Sequence, residues 1–273
     1  RAGGIHVGVK THAEWKKDMA MIVSDVDCAC AAVYTKNVVK AAHIHVDKAH
    51  LANGKARVAV INSGNANACA PHGEENAERV CAAAAKAVGC APEDVVCAAT
   101  GVIGQTLNVA VMETGMPELY ASLEDGAAGS DAAAHAIMTT DTVKKEAAVE
   151  TEVGGKTVRM GGIAKGSGMI HPNMGTMLCF LTTDCAISPE MIKTALLETV
   201  NVSFNRISVD GDTSTNDTCC VMANGMAGNP VITEKGPAYD AFLTALRALC
   251  VEMARKMASD GEARPPPLTA PLP

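Results

Sequence analysis

A glycine–threonine pair in the second half of the chain has the residue types needed to cut the chain and then to catalyse acyl transfer. A loop that starts at Lys165 leads to Gly175-Thr176, and an apolar run over residues 177–181 follows. A threonine hydroxyl is a weak nucleophile that needs an adjacent base, and cleavage of the preceding peptide bond would supply the α-amine of Thr176. That amine titrates near pH ~8, which suits a general base. Glycine accepts the contorted backbone that such a cut requires, so the pair predicts cleavage between Gly175 and Thr176.

The residues around this pair form a longer motif. Lys165-Gly166-Ser167-Gly168-Met169-Ile170 is followed by Pro172-Asn173-Met174-Gly175-Thr176-Met177-Leu178. A Gly-Thr pair alone is more often the turn before a buried strand. The whole motif resembles the cleavage segment of the glutamate N-acetyltransferase (ornithine acetyltransferase) family of arginine biosynthesis, and the similarity extends along most of the chain. Members of that family usually have alanine before the threonine, so Gly175 departs from the pattern.

The resemblance implies an acetyltransferase that activates itself by cleavage. It would move the acetyl group of N2-acetyl-L-ornithine to L-glutamate by a ping-pong mechanism with an acetyl group on Thr176, and it needs no cofactor and no metal. Some members also accept acetyl-CoA, which would add N-acetylglutamate synthase activity. Two alternatives stay open: a threonine-nucleophile amidase or aminopeptidase, because acyl transfer to water differs only in the acceptor, and an uncut, inactive relative.

The acyl-transfer chemistry also requires hydrogen-bond donors for the oxyanion of the tetrahedral intermediate. Thr100-Gly101 is the candidate, because the strand predicted over residues 95–99 ends there and glycine allows close backbone approach. On spacing alone the pair reads as an ordinary turn at the end of a strand. The family resemblance places the oxyanion hole at the matching Thr-Gly pair.

The resemblance assigns substrate binding to four residues. Lys165 would hold a substrate carboxylate, although most loop lysines are simply solvated. Thr139, in the polar cluster 138–142, matches a threonine that contacts substrate, and Glu262 matches a glutamate that would pair with a substrate amino group. Thr176 itself is the fourth. The acidic stretch 210–217 lacks the spacing of an EF-hand and is predicted to be a loop bonded to its own backbone.

Composition limits the classes of partner. The chain has 273 residues, a formal charge of -7 and no cluster of lysine and arginine, which argues against nucleic acid and favours small molecules. It has no apolar run of about 18 residues, so no membrane span is predicted. Its 11 cysteines lie inside apolar patterns and are expected to be core thiols in a reducing compartment, the cytoplasm.

The sequence pattern predicts alternating strands and alanine-rich helices as the elements that position these residues. Strands are predicted over 19–26, 32–34, 57–61, 95–99, 177–183 and 207–209. Helices are predicted over 74–88, from about Pro117, from about Ser130, from Pro189, and over a long amphipathic stretch from Phe242 to Met257. This pattern predicts an α+β protein, a layered α/β sandwich of the ornithine acetyltransferase/DmpA type.

The predicted cleavage divides the chain. Residues 1–175 would form an α chain and residues 176–262 a β chain, and the resemblance implies a heterotetramer of two of each. Relative to the family, the β chain is expected to be incomplete, since members continue past Glu262. Residues 263–273 hold five of the 12 prolines and are expected to be a disordered tail.

Overall fold

A computed structural model describes residues 1–11, 16–170 and 177–261 of the chain. The strands are β1 Ala2–Ile5, β2 Met19–Tyr34, β3 Lys55–Asn65, β4 Val95–Val102, β5 Lys145–Val153, β6 Lys156–Lys165, β7 Leu178–Thr183 and β8 Thr218–Ala223. The helices are α1 Ala42–His50, α2 Gly73–Val88, α3 Val109–Ala121, α4 Ala127–Ala136, α5 Pro189–Val200 and α6 Pro237–Ser259. No helix in these ranges is long and apolar enough to cross a membrane.

The strands form one mixed sheet in the order β4-β3-β2-β8-β7-β6-β5, and β1 pairs with β2. The pairs β3/β4 and β7/β8 are parallel, and the other neighbours are antiparallel. The two strands that follow the predicted cleavage point, β7 and β8, therefore lie in the middle of the sheet, between β2 and β6. The carboxyl ends of β3 and β4 lie side by side because these two strands are parallel.

Helices cover both faces of this sheet. Side chains of a strand point alternately to opposite faces, and in β2 the odd-numbered Met21 packs with the α2 and α3 cluster while Val33 packs with the α5 and α6 cluster. The even-numbered Ala20 and Ala32 share the other face with residues of α4. The predicted layered α/β sandwich is confirmed.

The core is built from aliphatic, methionine and cysteine side chains, as the low aromatic content of 3% requires. Nine of the 11 cysteines are buried, which confirms most of them as core thiols. Cys69 is exposed and Cys90 is half-buried, so these two do not follow the prediction.

Several predicted elements differ from the observed ones. The two strands expected over 19–34 are one long strand, because a bulge between Val23 and Cys28 absorbs the polar interruption. The helices expected to begin near Pro117 and Ser130 begin at Val109 and Ala127 instead. Residues 207–209 form no strand; a 3₁₀ turn precedes them.

Candidate active site

The carboxyl ends of β3 and β4 form a glycine-lined edge. Gly64 and Gly101 are paired across the two strands, so Thr100-Gly101 lies inside β4 and not in a turn after it. Gly101 has a φ of +132°, and a Cβ there would lie 2.3 Å from the carbonyl carbon of Gly64. Only glycine meets both constraints, because L side chains avoid this φ and the contact is with backbone.

Lys165 ends β6 and is almost completely buried. Its ammonium donates hydrogen bonds to Thr139 Oγ1 at 2.7 Å and to Thr100 Oγ1 at 3.4 Å. Three of the residues predicted from the sequence thus meet at one point, although they come from β4, β6 and the segment after α4. A buried cation flanked by hydroxyl groups is suited to holding a carboxylate or a developing oxyanion.

Asp141 is a residue of this site to which the sequence assigned no role. Its carboxylate accepts hydrogen bonds from the N–H of Thr139 at 3.1 Å and of Gly166 at 2.7 Å. It lies 3.7 Å from the ammonium of Lys165. Burial alone would raise the pKa of Asp141, but the charges of Lys165 and Lys145 outweigh burial and hold that pKa below its usual range. The carboxylate is therefore charged at neutral pH.

Gly175, Thr176 and Glu262 lie outside the described residues. The residue that follows the predicted nucleophile, Met177, donates its N–H to Asp217 Oδ1 at 2.9 Å. Asp217 is fully buried, and burial raises the pKa of its carboxyl well above the usual range. Its hydrogen bond fixes the backbone directly after position 176.

The acidic stretch 210–217 is a loop bonded to its own backbone and to the site, in line with the prediction. Asp210 accepts from the N–H of Asp212 at 3.2 Å and of Ile170 at 3.0 Å. Asn216 donates to the carbonyls of Ala66 and Ala99, both at 2.7 Å, and so ties the loop to the ends of β3 and β4. Within the ranges that the structure covers, no group of three or more His, Cys, Asp or Glu side chains could hold a metal ion.

A second lysine, Lys10, lies beside the glycine-lined edge and was also missed by the sequence reading. Its side chain packs so close to Gly64 that a Cβ there would be 2.9 Å from Lys10 Cγ. The segment is held by buried Asp18, which accepts from the N–H of Lys10 at 3.0 Å. Burial lowers the pKa of Lys10 to about 8. Nothing in the local sequence singles out this lysine, because its neighbours at the site come from distant strands.

Comparison with known proteins identifies the family. The sequence model of the ArgJ family matches residues 1–265. The chain belongs to the ArgJ family. The arginine biosynthesis bifunctional protein ArgJ of Symbiobacterium thermophilum is 47% identical over 262 residues, which are 96% of this chain and 65% of that protein. The corresponding protein of Bacillus subtilis is 46% identical over 264 residues, 96% of this chain and 63% of that protein. The chain thus spans slightly less than two thirds of the length of these ArgJ relatives.

Solved structures agree with this assignment. ArgJ from Bacillus halodurans matches with a TM-score of 0.60 and 41% identity, over 65% of this chain and 90% of that chain. The ornithine acetyltransferase of Mycobacterium tuberculosis, solved with ornithine, matches with a TM-score of 0.55 and 29% identity, over 65% of this chain and 91% of that chain. An L-aminopeptidase D-Ala-esterase/amidase from Ochrobactrum anthropi, described as a variant of the Ntn hydrolase fold, has a TM-score of 0.50 at 13% identity. This last likeness concerns the fold alone.

Proposed function

We propose that this ArgJ-family chain transfers the acetyl group of N2-acetyl-L-ornithine to L-glutamate, with Thr176 as the nucleophile. The observation that carries the proposal is the meeting of Thr100 and Thr139 at the buried ammonium of Lys165, with hydrogen bonds of 3.4 and 2.7 Å. Both substrates are amino acids with a free α-carboxylate, which a buried lysine can hold. The names of its relatives, which concern arginine biosynthesis and ornithine, support the substrate class.

Activation would proceed by cleavage between Gly175 and Thr176. The Thr176 hydroxyl attacks the Gly175 carbonyl carbon, the C–N bond breaks to give an ester and a free Thr176 amine, and water then hydrolyses the ester. The hydrogen bond from Met177 to Asp217 supports this proposal, because it holds the backbone on the other side of Thr176.

Acetyl transfer would then occur in two half-reactions. The Thr176 hydroxyl, with its own amine as base, attacks the acetyl carbonyl of N2-acetylornithine, and ornithine leaves with the proton. The amine of glutamate next attacks the acetyl-threonine and restores the hydroxyl. Thr100 and Gly101 would donate to the oxyanion in both steps, and Lys165 and Thr139 would bind the substrate in both. Glu262 would pair with the amino group of ornithine, and acetyl-CoA would be an additional donor.

The two pieces would stay together, since β7 and β8 lie between β2 and β6. We infer an α chain of residues 1–175 and a β chain of residues 176–262, followed by the tail 263–273. Two copies of each in the cytoplasm is the assembly that the family resemblance favours.

The test combines a denaturing gel with an assay for acetyl transfer. The purified chain should give two bands, of 175 and 98 residues, and Thr176→Ala should give one. Acetyl transfer from N2-acetylornithine to glutamate should exceed hydrolysis to acetate; the reverse order would indicate an amidase. A single band for the unaltered chain, together with no acetyl transfer, would contradict the proposal.

A further inference from the structure

Four buried charges run in a line from the candidate site to the end of α6. They alternate in sign: Lys165, Asp141, Lys145 and Asp260. The distances between successive charged atoms are 3.7, 2.7 and 2.6 Å. Their side chains are only 2%, 0%, 0% and 3% exposed. Buried ions cost free energy unless each is paired and hydrogen-bonded, so a line of four requires a reason beyond stability.

Asp141 is the member with the most contacts at the site. Besides its two lysine partners, it accepts hydrogen bonds from the N–H of Thr139 and of Gly166. Thr139 is a predicted substrate residue, and Gly166 directly follows Lys165, the other one. One carboxylate therefore fixes the backbone of both substrate segments and also pairs with the lysine ammonium.

The other end of the line is fixed by the long helix. Asp260 follows α6 and accepts hydrogen bonds from the N–H of Thr142 at 3.0 Å, from the Thr142 hydroxyl and from Lys145. Burial would raise the pKa of Asp260, but the hydrogen bond from Lys145 and its charge hold it below the usual range. The loop that carries Asp141 is thereby tied to α6, two residues before position 262.

We propose that Asp141 is a positioning residue of the acetyl-transfer site: it fixes Thr139 and Lys165 relative to each other and keeps Lys165 cationic. Lys145 and Asp260 in turn hold Asp141 in place. The catalytic half of this statement rests on the proposed function, whereas the charge of Lys165 can be measured without it.

The charged groups around Lys165 give the sign of the expected effect. Asp141 is an anion paired with it, and Lys10 and Lys145 are cations that also interact with Asp141. Asp217 also interacts electrostatically with Lys165, and burial raises the pKa of its carboxyl well above the usual range. Removal of the Asp141 charge would take away an anion 3.7 Å from the ammonium of Lys165, so the pKa of Lys165 would fall; loss of a close opposite charge typically changes a pKa by about 1–3 units.

The first experiment measures the titration of the Lys165 ammonium by ¹⁵N NMR, with the signal assigned by Lys165→Arg. Asp141→Asn should lower its midpoint by about one unit or more. Lys145→Met should raise it, because a competing cation next to Asp141 is removed. Asp260→Asn, at the far end of the line, should lower the Lys165 midpoint slightly. This variant takes the place of Asp141→Asn if Asp141→Asn does not fold. Equal midpoints in all variants, or shifts of the same sign for Asp141→Asn and Lys145→Met, would overturn the inference.

The second experiment measures acetyl transfer as a function of pH. Asp141→Asn should raise the KM for N2-acetylornithine at least tenfold at pH 8, with a smaller change in kcat, because Lys165 binds the substrate in ground and transition states alike. The alkaline limb of kcat/KM should move to lower pH, and Asp141→Glu should restore part of it. A purely structural role would lower the melting temperature and leave the pH profile in place. Absence of transfer by the unaltered chain would count against the proposed function, while the NMR result would still decide the role of Asp141.

Discussion

Substitution of Gly101 by alanine tests the role of the glycine-lined edge most directly. Gly101 has a φ of +132°, and its new Cβ would lie 2.3 Å from the Gly64 carbonyl carbon and 2.6 Å from the Asn65 nitrogen. Carbon atoms in contact prefer about 3.5–4.0 Å, so the ends of β3 and β4 would have to separate by more than 1 Å. Gly104 offers a matched control, because it has a φ of +83° and no atom within 4 Å of the added Cβ.

The two variants separate two losses of folding free energy, one from the unfavourable φ and one from the steric contact with the end of β3. A residue other than glycine at such a φ costs about 1–3 kcal/mol, and both variants share this loss. The forced contact adds about 1–3 kcal/mol in Gly101→Ala alone, by analogy with overpacked cores. Gly101→Ala should therefore unfold at a lower urea concentration than Gly104→Ala.

The kinetic effect of Gly101→Ala should exceed its effect on stability. Loss of one oxyanion donor lowers kcat by a factor of about 10²–10³ in comparable sites. A displaced Thr100-Gly101 backbone would no longer be placed to donate to the oxyanion. Gly104→Ala should keep kcat within a few-fold of the unaltered enzyme. Stopped assays of acetyl transfer, made well below the unfolding temperature, would measure both. Equal kcat values for the two variants would refute an oxyanion role for Gly101, and a rise in KM at constant kcat would assign it to substrate binding.

Further predictions concern the lysine, the anchor of Met177 and the response to acid. Lys165→Met should raise the KM for N2-acetylornithine at least tenfold, whereas Lys86→Met, on the exposed side of α2, should leave it unchanged. Asp217→Ala should slow self-cleavage about 10²-fold, since a 1 Å misplacement can cost that much; Asp217→Asn keeps an oxygen for the Met177 N–H and should still cut, and gels of timed samples would show the difference. The pKa of Asp141 is lower in the folded than in the unfolded chain, so its contribution to stability is complete above the unfolded value near ~4 and is lost as the pH falls below it. Urea unfolding at pH 3 and pH 6 should show a smaller pH dependence for Asp141→Asn than for the unaltered chain.

The local sequence pattern predicts a helix correctly where the residues of that helix determine its bounds. The helix predicted over 74–88 ends at Val88, and Gly89 caps it with a φ of +80°. The long helix from Phe242 to Met257 follows from its apolar spacing and runs over Pro237–Ser259. Pattern failed at Pro117, which lies inside α3 although it lacks the N–H that would bond one turn back. Burial of Met112, Met116 and Leu119 on that helix outweighs the loss.

The residues of the candidate site also fall into two groups, those that the sequence predicts and those that it does not. Thr100, Thr139 and Lys165 were found through the family resemblance, and the structure places both threonine hydroxyls within hydrogen-bond distance of the Lys165 ammonium. Asp141 and Lys10 have no motif, because their importance comes from contacts between segments far apart in the chain. A buried carboxylate that binds two backbone N–H groups cannot be distinguished in sequence from a surface aspartate in a turn.

The central position of β7 and β8 has a consequence for the molecularity of folding. A cut at residue 175 would leave β1 to β6 in one polypeptide and β7 and β8 in the other. Each of the latter two strands remains paired over six residues with a strand of the first piece. Before the cut, folding is a first-order process within one chain. After it, unfolding releases two polypeptides, so the melting temperature depends on protein concentration and re-formation is second order. A chain cut as proposed could regain its structure after unfolding only by association of the two polypeptides, and this step becomes slower as the protein concentration falls.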